Sequence, residues 1–320
     1  MSSADLTTFL DNLKQLANAQ PASAGDIDLD QEAHQQKLLQ SLHKVAGLRP
    51  SAALSRRLRT VLERIPVEEV ELWIKRISHV PDHPELQSLI EDLANHETYF
   101  FRDHIQLEAL FCDQMPDVVR RKARSGERTL KLWSAACATG EEAYTLAIMA
   151  TELLRAQGEI EITGTDGKIR WNGWRVQVHG TDISRQAVAF AKQASYRVGG
   201  LGPFRQLPAG MERYFTDQAP CDALTPLLRQ PIEAIRNITQ FRTCNLISAK
   251  PPVQGMDVVL CRNVLIYIDP ALHGHIQTML AAGMRTGGML VMSPVDRDMT
   301  KGSFVEHWHR RCVIHEKRSR

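Results

Sequence analysis

The sequence predicts an α/β chain: a Rossmann-like domain with a small inserted antiparallel β-subdomain, preceded by an all-helical domain. Three observations predict it. Apolar residues recur at helical spacing between Gln35 and His96, strand-like apolar runs alternate with helices from Leu130 onward, and a Gly/Pro-rich stretch after Tyr196 interrupts that alternation.

Each element follows from its residues. Residues 1–34, rich in Ala, Gln, Asp and Ser around Pro21 and Gly25, read as a loosely ordered extension with a short helix at Leu6–Ala17. The helical domain, 35–96, is divided at Pro50, Pro66, Pro81 and Pro84. An amphipathic helix over Ile105–Ser125 leads to a first strand at Leu130–Ala135, and the next helix runs from Thr139 to Gln157. Residues 159–174 read as a surface hairpin insertion. A second strand, Arg175–Gly180, is followed by Thr-Asp-Ile-Ser, where Ser184 caps a helix over Arg185–Ser195. The alternating segments Leu227–Ile235 and Ile238–Thr243 are assigned to the inserted subdomain, residues 211–244. Met256–Cys261 is a continuous apolar strand, expected to be buried on both faces. A helix follows Pro270, then a strand at Met289–Met292 and a closing strand within Phe304–His315. The α/β domain would thus be residues 97–320.

Composition narrows the function classes. The formal charge of +2 over 320 residues gives no global basic field, so nucleic acid is not an expected partner. The six cysteines are scattered without a CxxC pair, which suits reduced thiols, and the start of the chain has no leader pattern. No apolar run approaches the ~20 residues needed to span a bilayer, so a cytoplasmic, monomeric protein without membrane insertion is expected. The pairs His273/His275 and His307/His309 lack the carboxylate or Cys partners of a metal site, and no metal is expected.

The chemistry concentrates where strands end. At Ala-Ala-Cys-Ala-Thr-Gly-Glu-Glu, residues 135–142, a strand feeds a turn of small residues and then a helix opening on two carboxylates. Such a junction holds nucleotide-like cofactors at the carboxyl ends of strands. Two carboxylates in the first helical turn suit the helix dipole but repel a pyrophosphate. A ligand with positive charge and hydroxyls is therefore expected, and S-adenosylmethionine fits where NAD, FAD and ATP do not. Gly140 permits the close turn, Glu141 is expected to face the cofactor, and Glu142 to serve the helix terminus. Asp182, at the end of the second strand, reads either as an acceptor for ribose hydroxyls or as an ordinary turn residue. Asn245, Arg262 and Asn263 fall at further strand ends. In His-Glu-Thr-Tyr-Phe-Phe-Arg-Asp, residues 96–103, the aromatics read as packing, whereas Arg102 calls for a carboxylate of cofactor, substrate or protein.

Five segments in order carry a family resemblance: residues 96–103, Ala-Thr-Gly-Glu-Glu-Ala-Tyr-Thr, Gly-Thr-Asp-Ile-Ser, Cys-Asn-Leu-Ile and Cys-Arg-Asn-Val-Leu-Ile-Tyr-Ile. Over roughly residues 36–295 the chain resembles the CheR family of chemotaxis-receptor glutamate O-methyltransferases. The resemblance implies a helical domain joined to an S-adenosylmethionine-dependent methyltransferase domain with a small β-insert. It implies methyl transfer to glutamate carboxylates in the cytoplasmic helical region of chemoreceptors, with S-adenosylhomocysteine as product. It implies cofactor contacts from His96, Thr98, Arg102, Glu141, Asp182, Asn245, Leu246, Arg262 and Asn263. Tyr267 matches a tyrosine placed near the transferred methyl group, and with Arg102 it is assigned to substrate orientation; its other reading is a core aromatic. Arg56, Arg57, Arg59 and Arg64 lie on the helix Leu54–Arg64, and against acidic receptor helices Arg56, Arg57 and Arg59 form a docking surface.

The chain departs from the family at His96, where Asn is usual, and at Ser-Pro-Val-Asp, residues 293–296, where a Gly-His-Ser-Glu-like ending is usual. The insert has no segment matching versions that grip a receptor's tail peptide. These departures leave a second reading, a regulatory module that binds S-adenosylmethionine without transferring methyl groups.

Overall fold

The structure, a computed structural model, describes residues 29–78, 83–94, 96–163, 168–218, 226–248, 250–293 and 303–319. The expected helix at Leu6–Ala17 lies outside the described residues. The chain divides into two compact units, residues 1–93 and 94–320.

The first unit is helical: α1 (Leu29–Ala46), α2 (Ala52–Leu62), α3 (Val67–Ser78) and α4 (Pro84–Leu93). Helix α1 begins at Leu29, inside the segment expected to be loose, because Leu38, Leu42 and Ala46 give it a face to bury. Those residues form a core with Leu58, Ile77, Leu86 and Ile90. Each fully buried aliphatic side chain stabilises by about 1.5–3 kcal/mol. Ser51 caps α2 by accepting from Leu54 N at 3.1 Å. The Trp73 indole donates to Glu85, which also pairs with Arg76, tying α3 to α4.

The second unit opens with α5 (His104–Glu108), a π-helical turn (Ala109–Gln114) and α6 (Met115–Ser125). The single helix expected over 105–125 is therefore widened in the middle. Next come β1 (Thr129–Ala135), α7 (Glu141–Ala156), the hairpin β2 (Glu161–Thr163) and β3 (Lys168–Arg170), β4 (Arg175–Asp182) and α8 (Arg185–Gln193). A three-stranded antiparallel sheet follows, with β7 (Leu228–Pro231) between β5 (Tyr196–Arg197) and β6 (Phe215–Gln218). The chain then runs through α9 (Glu233–Asn237), β8 (Thr239–Thr243), β9 (Met256–Cys261), α10 (Pro270–Gly283), β10 (Met284–Met292), β11 (Phe304–His309) and β12 (Cys312–Lys317).

The large sheet has the order β11-β12-β10-β9-β1-β4-β8. Neighbours from β10 to β8 pair in parallel, and β12 pairs antiparallel with both β10 and β11. Strand β9 is buried at all six positions, its apolar residues packed on both faces and Asp257 paired with Lys122. Val258 and Leu260 pack into one core cluster, with Leu130, Leu132 and Val178, while Met256, Val259 and Cys261 pack into another with Trp133 and Leu290. Chain order reverses between β1 and β9, and open α/β sheets bind ligands outside the carboxyl ends of their strands at such a point.

Two expectations change. Residues 239–243 belong to the large sheet, where β8 pairs in parallel with β4, and the small sheet draws instead on residues 196–231. The alternation that suggested an antiparallel insert is that of an edge strand, with Thr239 and Phe241 facing in. The single closing strand expected in 304–315 is a hairpin, β11 and β12, turning at Arg310 and Arg311, both with positive φ. Beneath the amino ends of the strands lies a groove of about 780 Å³, lined in part by Arg121, Lys122, Asp257, Arg285 and Arg318. Among the described residues no helix is long and apolar enough to cross a membrane.

Candidate cofactor and methyl-transfer site

The turn after β1 is held by the end of β4. Ala136 N and Cys137 N both donate to the Thr181 carbonyl, at 2.8 and 2.9 Å. Ala136 (φ 102°) and Ala138 (φ 47°) adopt left-handed backbone, which non-glycine residues take at a cost of about 1–3 kcal/mol each. The surrounding bonds fix that geometry. Gly140 (φ 99°) ends the turn, and a Cβ there would lie 2.7 Å from Ala191 Cβ and 3.0 Å from the Tyr196 hydroxyl. The glycine thus lets α7 start against α8 and Tyr196, whose hydroxyl donates to the Thr139 carbonyl at 2.8 Å.

Two carboxylates lie within this frame. Asp182 is buried; its Oδ2 accepts from Ala138 N at 2.8 Å and its Oδ1 from Ser184 N at 3.0 Å. Burial pushes its pKa up, opposed by the N–H groups of Ser184 and Ala138 and by the nearby charge of His96. Glu141 is 2 % exposed and accepts from the Thr139 hydroxyl at 2.7 Å. Its pKa is pushed up to about 7, first by burial, against the Thr139 bond, its own backbone N–H and the charge of Arg205. A carboxylate oxygen can take a second donor beside the one it holds. Both sites suit a ligand that brings hydroxyl or ammonium donors, and both disfavour a phosphate.

Glu142 does more than serve the helix terminus. Its Oε1 accepts from the Ser134 hydroxyl at 2.6 Å and its Oε2 from Arg262 Nε at 2.8 Å. The buried Arg262 guanidinium also donates to the Arg102 carbonyl (3.0 Å) and to Gln106 Oε1 (3.2 Å), and Gln106 Nε2 donates to the Met292 carbonyl (2.8 Å). Arg262 therefore fastens the exit of β9 to α7 and to the segment 102–106. Asn263, left-handed at φ 58°, donates its N–H to Ser293 Oγ at 2.7 Å, and that hydroxyl donates back to Asn263 Oδ1 at 2.9 Å. Ser293, the first residue of the altered ending, is thereby given a structural partner, while residues 294–296 lie outside the described residues.

Asn245 Oδ1 accepts from Ile247 N (3.2 Å) just after β8, and Leu246 is buried in the core cluster of Trp133. Thr98 and His96 are half-buried. Arg102 Nη1 donates to the Glu97 carbonyl at 2.7 Å, its Nε lies 4.0 Å from Asp103, and the group sits 5.7 Å from the Tyr99 ring. Its side chain is partly exposed. Tyr267, in the 3₁₀ turn Leu265–Tyr267, is 39 % exposed, which removes the core-aromatic reading. Arg56, Arg57 and Arg59 are exposed on α2 in the first unit, with Arg57 donating to the Leu93 carbonyl. Among the described residues no cluster of three or more His, Cys, Asp or Glu could hold a metal ion; His307 pairs with Glu316, and His275 meets the Ile247 carbonyl.

Sequence reasoning passed over Ser134, Gln106 and Arg205. Gln106 and Arg205 meet partners far away in the chain, at Met292, Arg262 and Glu97, and Ser134 meets Glu142 across the turn between β1 and α7.

Residues 96–171 and 169–297 match the family model described as CheR methyltransferase, SAM binding domain. Chemotaxis protein methyltransferase 1 of Pseudomonas aeruginosa is 30% identical over 251 residues, 78% of this chain and 82% of that protein. Chemotaxis protein methyltransferase Cher2 of Pseudomonas putida is 26% identical over 75% of this chain and 79% of that protein. Among solved structures, a TehB-like SAM-dependent methyltransferase from Corynebacterium glutamicum aligns with TM-score 0.35 at 10% identity, over 67% of this chain and 98% of that one. The cofactor is S-adenosylmethionine, and the two buried carboxylates at the strand ends fit it. With the family model spanning the whole site from His96 to beyond Ser293, the chain belongs to the CheR family of methyltransferases that act in chemotaxis.

Proposed function

We propose that this chain transfers a methyl group to glutamate side chains of chemoreceptors, forming methyl esters. The observation that carries the reading is the contrast within one site between two buried carboxylates, Asp182 and Glu141, and a partly exposed cation, Arg102. The acids suit the cofactor's donors, and the cation suits an anionic substrate. When bound, S-adenosylmethionine supplies an electrophilic methyl group on a sulfonium. Asp182 and Glu141 accept hydrogen bonds from the cofactor's hydroxyl and ammonium groups, with His96, Thr98, Asn245 and Leu246 completing the walls.

A glutamate carboxylate, with an ordinary pKa of ~4.3, is ionised at neutral pH and needs no general base. The chain's task is alignment and partial desolvation. Arg102 keeps donors beyond the one given to Glu97 and orients the incoming carboxylate. Arg262 holds the Arg102 backbone, so the exit of β9, the following turn with Tyr267 and the Arg102 segment act as one support. The exposed Arg56, Arg57 and Arg59 meet the acidic receptor helix.

The test is incubation with methyl-labelled S-adenosylmethionine and membranes carrying the cognate chemoreceptors. Base-labile label on the receptor is expected, at a rate that falls as salt screens the arginine patch. Cofactor binding without label on any cognate receptor would establish the regulatory-module reading instead.

A further inference from the structure

We propose that Arg205 is a positioning residue of the cofactor site, clasping residues 97–100 to the loop after β5. Three consecutive residues of that loop grip the segment. The Pro203 carbonyl accepts from Phe100 N at 2.9 Å, and the Phe204 ring stacks on Phe100 at 5.0 Å with 19° between planes. The Arg205 guanidinium lies 3.7 Å from the centre of the Tyr99 ring, and its Nη2 donates to Glu97 Oε1 at 3.1 Å. Its Nη1 donates to the Leu201 carbonyl at 2.7 Å, which fixes the side chain to its own loop.

The segment so clasped is the one that carries Thr98 and Arg102. Glu97 is held at both ends, its carboxylate by Arg205 and its carbonyl by Arg102. Phe101 N donates to Thr145 Oγ1 on α7, and that hydroxyl donates to the Glu141 carbonyl, so the segment also bears on the turn that presents Glu141. Around the Glu141 carboxylate stand the Thr139 hydroxyl, the Cys137 thiol, the Tyr196 phenol and Arg205, and Arg205 is the cation that favours its charged form. A stacked guanidinium contributes both contact and charge, which a neutral side chain cannot replace.

The inference rests on the site's binding S-adenosylmethionine, and its test needs no receptor. Cofactor affinity of the full chain is measured by calorimetry between pH 6 and 9 for the natural protein and for Arg205→Ala, Arg205→Lys, Tyr99→Ala and the Arg205→Ala/Tyr99→Ala double variant. Arg205→Ala is expected to weaken binding about tenfold, and the pH at which binding fades on acidification moves up. Arg205→Lys restores the pH profile but part of the affinity only. Tyr99→Ala weakens binding without moving the profile, and the double variant loses less than the product of the two losses. Melting curves show that each variant is folded. Natural affinity and an unmoved profile in Arg205→Ala would overturn the proposal, as would fully multiplicative losses. Absence of receptor methylation by the natural protein would count against the proposed substrate and leave this inference standing.

Discussion

The two ends of the parallel sheet treat their buried carboxylates differently. At the amino ends, Lys122 and Asp257 are 4 % and 3 % exposed and lie 2.9 Å apart. Lys122 also binds Glu127 and the Thr129 carbonyl, while Asp257 accepts from Lys131 N and Arg285. Lys122, Glu127, Asp257 and Arg285 thus answer one another within the chain. At the carboxyl ends, Glu142 pairs with Arg262, but the buried Glu141 and Asp182 are met by a hydroxyl and by backbone N–H groups, and the turn that presents them is strained at Ala136 and Ala138. The difference separates a buried carboxylate paired with a cation from buried carboxylates held by hydroxyl and N–H donors. Even the groove beneath the amino ends is lined by side chains such as Lys122, Asp257 and Arg285 that answer one another.

Lys122→Ala gives the largest expected effect on that contrast. Removing Lys122 leaves the buried Asp257 with only the part-exposed Arg285 as a counter-charge, at a cost of up to about 3–5 kcal/mol. Urea unfolding measures the loss, and cofactor affinity in the fraction that stays folded should be unchanged. A large drop in that affinity would show that the two ends are not independent.

Arg102→Ala reverses the signature. Stability changes little, since the side chain is partly exposed and its neighbours are a carbonyl and a distant carboxylate, while methyl transfer falls about 100-fold, near 2.7 kcal/mol. Turnover retained at saturating cofactor, with weaker cofactor binding, would assign Arg102 to cofactor binding instead.

Glu141→Gln tests the carboxyl end through pH. In the folded protein without cofactor, Glu141 keeps its proton up to about pH 7, whereas the unfolded chain releases it near 4.5. Stability from this group is full below 4.5 and falls as pH rises toward and past 7, by about 3 kcal/mol at most. The glutamine variant should lose that slope in unfolding titrations at pH 5 and pH 8 and bind the cofactor about tenfold more weakly, since an amide replaces a charged acceptor. An unchanged slope would mean that the pH dependence arises from groups other than Glu141.

How legible the fold was depended on the kind of signal. Strands β1, β4 and β9 stand out because their apolar runs have one structural interpretation when followed by a small-residue turn or a capped helix. Strand β8 did not, since Thr-Gln-Phe-Arg-Thr alternates in the same way at the edge of a parallel sheet as in a small antiparallel one. At the site, position alone put Asp182 at the end of a strand and Glu141 at the start of a helix, which is where the structure has them. The role of Glu142 was not. Its partner Arg262 is 120 residues away, and local sequence offered only the helix dipole as an explanation. Arg205 lies in a loop of Gly and Pro residues where periodicity says nothing.

The π-helical turn at Ala109–Gln114 has one more consequence. In a regular helix each residue advances the face by about 100°, so the widened turn acts as a phase shifter between Gln106, which reads the exits of β9 and β10, and Val118 and Val119, which dock on the core. Chain length within this turn is therefore a tuned quantity. A single-residue deletion that preserved every side chain contacting the site would still rotate Gln106 off Arg262 and Met292, detuning the pocket from a place where no ligand is touched.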